Sequence, residues 1–116
     1  MITKRLIVKD IISIDTAVST DNGDAVYQKI VEVLNDEHEV ILDFKGISMM
    51  TTAFLNATIG QLYSSYTSEQ LNKSLKLQNV ADDDKILFKK VIDRAKQYFA
   101  NKIDFENSAN NVIYGS

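Results

Sequence analysis

"VILDFKGISMMTTAFLNATIGQLY", residues 40–63, decides how this chain folds. Val40, Ile41, Leu42 and Phe44 form a short apolar run broken only by Asp43, the pattern of a central strand covered on both faces. Gly46 marks its exit and "ISMMTT" turns the chain. Leu55, Ile59, Leu62 and Tyr66 then keep helical spacing, with Ala53, Ala57 and Gly60 offering small surfaces for close packing against a sheet. A strand feeding a helix start puts backbone N–H groups and short polar side chains at an exposed rim. Function is expected there.

Upstream, Leu6 and the β-branched Ile7, Val8, Ile11, Ile12 and Ile14 predict one bent strand or two short ones around Lys9 and Asp10. "STDNGD", Ser19 to Asp24, holds turn formers and helix N-caps, so a helix begins within it. Its stripe is Val26, Ile30, Val33 and Leu34, ending near Asn35. Downstream, Thr67 to Asn72 reads as polar connection, and Leu75, Leu77 and Val80 alternate with polar residues as a half-buried strand beside Val40 to Phe44. Asp82 to Asp84 give a negative start to a helix carrying Leu87, Val91, Ala95 and Tyr98, favourable at the positive end of its dipole. That helix is expected to reach about Ala100. Ile103, Phe105, Val112, Ile113 and Tyr114 make the tail too apolar for a free end and suggest an edge strand.

Alternation of strands and helices predicts one small α/β domain over residues 1–116, with a core at about 4–100 and a tail at 101–116. The sheet is expected to be mixed but mostly parallel, with four to five strands and three main helices. The formal charge of −3 lacks the basic footprint of nucleic-acid binding. No cysteine is present, so disulfides, thiolate metal sites and a cysteine nucleophile are excluded. No apolar run approaches the roughly 18 to 20 residues that span a bilayer, and charges break the N-terminal apolar patches. A soluble cytoplasmic protein without membrane contact or cofactor is expected.

Few residues suggest chemistry. Thr51 or Thr52 suits a helix N-cap, and a phosphate on either hydroxyl would add about 1.5 to 2 negative charges to a recognition surface. Asp43 inside its apolar run either bonds turn amides or orients a hydroxyl or metal near the threonines. His38, alone between Glu37 and Glu39, reads as solvated, and neither the Asp82 to Asp84 run nor "DNGD" has calcium-loop spacing. Neither a nucleophile elbow nor a glycine-rich phosphate loop is present. The residues therefore name no catalytic group and no metal ligand set.

"LDFKGI", the hydroxyl pair, "AFLNATIGQL", "LKLQNV" and the acidic start of a long last helix together resemble the STAS-like family of unknown function, over about Ala25 to Phe99. That family is related to the STAS domains of bacterial anti-sigma factor antagonists. The resemblance implies a non-catalytic regulatory module that docks a histidine-kinase-like ATPase or serine kinase. Its partner surface would be Ser48, Met49, Met50, Thr51, Thr52 and Asn56, with Thr52 or Thr51 as candidate phosphoacceptor. In the antagonists a serine at the helix start is phosphorylated, and the phosphate breaks binding. An ungapped match puts Ala53 at the acceptor, Thr52 at the serine before it and Thr51 at an aspartate; a one-residue adjustment brings Thr52 to the acceptor position.

Two other readings remain open. A small metal-assisted phosphoryl-transfer or hydrolytic enzyme would use Asp43 and nearby carboxylates. A homo-oligomer would use the apolar tail.

Overall fold

The computed structural model describes residues 2–110, and the side chains of residues 2–99. Strand β3 (Glu39–Asp43) lies between β1 (Thr3–Ile7) and β5 (Leu75–Gln78), all parallel. The register sets Leu6, Leu42 and Leu77 side by side, and Arg5, Ile41 and Lys76 side by side. Val40 and Leu42 are fully buried, whereas Arg5 and Lys76 are exposed and Ile41 is half-buried.

One face of this sheet is therefore open, which corrects the expectation of a strand covered on both faces. Strand order β1-β3-β5 runs in one direction, and successive right-handed crossovers then carry their helices to the same side. Helix α3 (Thr52–Thr58) indeed packs between α2 (Thr20–Asn35) and α5 (Asp82–Asn110) in one layer. The apolar run of β3 hid its alternation because Ile41 occupies an outward position.

The β-branched N-terminal segment also departs from expectation. Val8 and Ile12 are one helical turn apart and both buried, so Val8–Ile12 forms a short helix, α1, ended by Ser13 in the left-handed region. Core burial overrides strand propensity there. The chain then makes β2 (Thr16–Ala17), which pairs with β4 (Met49–Met50) in a separate parallel ribbon. The described residues form five strands, in two sheets.

Helix α2 starts as read, with Ser19 Oγ accepting the Asn22 N–H at 3.1 Å. Its Gly23 is pressed against α3: a Cβ there would lie 2.6 Å from the Phe54 carbonyl oxygen and 2.7 Å from Ala57 Cβ. Thr58, fully buried, donates its hydroxyl to the Gly23 carbonyl at 3.0 Å. Through Ile59, α3 passes into a 3₁₀ helix, Gly60–Ser64. The polar connection is in fact helix α4 (Ser68–Ser74), capped by Thr67 and Gln70 in a reciprocal box.

Helix α5 places Phe88, Val91 and Ala95 in the core, and Phe88 meets Phe44 edge to face at 5.1 Å. It runs past Ala100, so residues 101–110 continue the helix instead of forming an edge strand. Val112, Ile113 and Tyr114 lie outside the described residues. Among the described residues no helix is long and apolar enough to cross a membrane.

Candidate functional site

At the C-terminal ends of the three parallel strands, Asp43 is the only buried charged side chain among the described residues. Its Oδ1 accepts the Lys45 N–H at 2.9 Å and the Asn79 amide at 2.8 Å; its Oδ2 accepts Arg5 Nη1 at 2.8 Å. Arg5 Nη1 also donates to Gln78 Oε1 at 2.8 Å, so side chains of β1, β3 and β5 are tied together. The Asn79 amide above all, then the Lys45 N–H and Arg5, hold the Asp43 carboxyl below its ordinary pKa against the opposing effect of burial. Arg5 and Asn79 carry no sequence signature that would have marked them.

Asp43 is thus a latch under the rim, with both oxygens bonded to its own chain. Its partners are turn amides and a cation, the first of the two roles read for it. Among the described residues no three His, Cys, Asp or Glu side chains gather where a metal could sit. His38 is half-buried, not solvated, and its Nδ1 is shielded from water with no hydrogen-bond partner among the described residues. It lies at the opposite, N-terminal end of β3.

On the rim, the threonines differ. Thr51 caps α3: its Oγ1 accepts the Phe54 N–H at 3.3 Å and donates to the Val18 carbonyl at 2.8 Å. The Thr52 hydroxyl, half-buried on the first residue of α3, has no hydrogen bond among the described residues. Ser48 is exposed, and both its N–H (2.8 Å) and its hydroxyl (3.2 Å) donate to the Asp15 carbonyl. Met49 is 58% exposed on β4, and Ile14, just before Asp15, is 46% exposed. The β-branching of Ile14 predicts a strand; its place beside the rim depends on the β2–β4 pairing, which two residues per strand do not announce.

The six residues grouped from sequence do not form one concavity. Met50 helps line a hollow of about 480 Å³ between the β3–β4 loop and the start of α5, with Phe44, Lys45, Asn79, Val80 and Asp84. Asn56 lines another, of about 280 Å³, between the 3₁₀ helix and α5. Ser48, Met49, Thr51 and Thr52 line neither and form the ridge at the start of α3. Gly60, expected against the sheet, belongs to the Asn56 hollow.

A family model described as a STAS-like domain of unknown function matches residues 22–85. That is more than half of the chain, and the chain belongs to this family. No curated protein and no solved structure is significantly similar to it. The match runs from α2 to the first turn of α5 and contains the whole β4–α3 ridge. It leaves out β1, α1, β2 and most of α5.

Proposed function

We propose that this STAS-like domain is a non-catalytic regulatory module of the cytoplasm that docks a protein of the ATPase or kinase type through the Ser48 to Thr52 ridge. The observation that carries this reading is Met49, a large apolar side chain 58% exposed on a ridge otherwise made of hydroxyls and a helix start. An exposed methionine adapts to the shape of a partner and contributes apolar burial. Thr52 is the phosphoacceptor of this switch. Its hydroxyl is uncommitted among the described residues, whereas that of Thr51 already makes two hydrogen bonds. A phosphate on Thr52 adds about 1.5 to 2 negative charges beside Met49 and opposes its desolvation by a partner. The enzymatic alternative has no comparable support, because Asp43 is taken up by Arg5, Asn79 and Lys45.

The test is co-purification with any ATPase- or kinase-type protein that the neighbouring genes encode. Association that falls at least tenfold in Met49→Asp and in Thr52→Glu supports the ridge. ATP-dependent phosphate on Thr52, detected by mass spectrometry and lost in Thr52→Ala, supports the switch. No association with or without ATP overturns the reading.

A further inference from the structure

Helix α2 ends in a turn that breaks two local rules at once. Glu37 has φ at 62°, in the left-handed region; its N–H donates to the Leu34 carbonyl at 3.0 Å, and that of His38 to the Val33 carbonyl at 3.2 Å. Glycine, or else asparagine, usually takes this place in a helix closed in this way, because a Cβ is strained there. A carboxylate is also the wrong charge for it. The last carbonyls of a helix carry partial negative charge, and the last turn of α2 holds no basic residue to offset it. Next comes His38, whose Nδ1 is the one buried side-chain polar atom without a hydrogen bond among the described residues. Two adjacent residues thus forgo stability in three ways, and local conflict of this kind collects at functional sites.

Both residues border a hollow of about 430 Å³ at the N-terminal edge of the sheet, just ahead of β3 and β5. Its apolar part is Leu34 of α2, half-buried, and Leu71 of α4, buried. Its polar part carries both signs of charge. Glu37 and Lys73 are exposed on opposite elements, and neither makes an ion pair among the described residues. Gln70, one turn before Lys73, accepts the Thr67 N–H on its Oε1 at 2.8 Å, which fixes the side chain and leaves its NH₂ group as a donor without a partner among the described residues. Tyr66 donates its hydroxyl to Asn35 Oδ1 at 2.8 Å and so ties the wall ahead of α4 to the end of α2.

We propose that this hollow binds a free aliphatic α-amino acid. The ammonium group of the ligand pairs with Glu37 and the negative end of α2, its carboxylate with Lys73 and the Gln70 amide, and its side chain covers Leu34 and Leu71. A zwitterion answers both charges. A simple anion would meet the Glu37 carboxylate, a simple cation would meet the Lys73 ammonium, and the end of a peptide carries only one of the two charges. The hollow lies at the opposite end of β3 from the Ser48 to Thr52 ridge, and the site does not rest on the docking role given to that ridge.

The chain has one histidine, so the His38 ring protons are a single NMR reporter in the wall of the hollow. Titration of the full chain at constant pH with L-leucine, L-isoleucine and L-valine is expected to shift them and to saturate within about 0.1 to 10 mM, the range open to so small a ligand. Isocaproate, which is leucine without the ammonium group, and isoamylamine, which is leucine without the carboxylate, are expected to bind at least tenfold more weakly than L-leucine. Glu37→Gly is expected to lose at least tenfold in leucine affinity and yet to melt no lower than the natural chain, because it removes a ligand contact and relieves the backbone. Lys73→Met keeps the apolar stem and is expected to lose as much affinity with the fold intact by circular dichroism. The absence of a saturating shift with all three amino acids overturns the proposal. So does isocaproate or isoamylamine binding as tightly as L-leucine, either variant binding it unchanged, or Glu37→Gly melting several degrees lower, which would make Glu37 part of the fold's own bracing.

Discussion

Helix α3 begins on Thr51, whose hydroxyl is bonded to both the Phe54 N–H and the Val18 carbonyl, and one turn later presses Phe54 and Ala57 onto Gly23. Beyond its C-terminal end the chain passes Gly60, where a side chain would fit and none is present. At the first end the backbone is fixed by polar groups and steric contact, with Met49 exposed on β4 and Thr52 half-buried on the first residue of the helix. At the second, space is held open. The start of α3 is thus braced by contact and the stretch past its end is bordered by open space, and substitution distinguishes the two.

The most damaging change is expected where bracing is tightest. Gly23→Ala puts a methyl group 2.6 Å from the Phe54 carbonyl oxygen, and α2 and α3 have to separate to admit it. Overpacking of this kind costs about 2 to 3 kcal/mol. Chemical denaturation should show that loss in Gly23→Ala and none in Gly60→Ala. Equal effects at both glycines would erase the distinction between the two ends.

Next comes the latch beneath the ridge. Asp43→Ala leaves the Asn79 amide and the Lys45 N–H without their acceptor and costs about 2 kcal/mol at neutral pH, at the low side for charged hydrogen bonds because Arg5 is half exposed and its ion pair is screened. The depressed pKa of Asp43 fixes the sign of the pH dependence. Its contribution is complete above the unfolded carboxylate value of about 3.9 and disappears as pH falls through the lower folded value. The stability gap between the natural chain and Asp43→Ala should therefore hold from pH 7 to about pH 5 and narrow below about pH 4.

Much of this arrangement is legible in the residues, because local signals and burial agree there. Ser19 caps α2, Val40 to Asp43 is the central strand, Leu75 to Gln78 pairs with it, and Asp82 to Asp84 open the last helix, each as its pattern predicts. Local pattern and structure part where tertiary contact decides. Val8 and Ile12 prefer strand in isolation and form a helical turn because both reach the core. The capping box of α4 lies in "TSEQ", but the polar residues around it have the pattern of a loop. The hydroxyl ridge was visible as a motif, whereas the Gly60 groove is made by residues 39 positions apart, Gly60 and Phe99, and no spacing rule joins them.

The smallest expected difference separates the two adjacent threonines. Thr51→Ala removes an N-cap acceptor and a hydrogen bond to the Val18 carbonyl, which holds β2 to the start of α3, and should cost about 1 to 2 kcal/mol. Thr52→Ala removes a hydroxyl without a partner among the described residues and should fall within about 0.5 kcal/mol of the natural chain. Urea melts of the two variants measure both values. If Thr52→Ala proves the costlier, its hydroxyl belongs to the bracing of the ridge, and a phosphate placed there would unfold the start of α3 instead of blocking a partner at an intact surface.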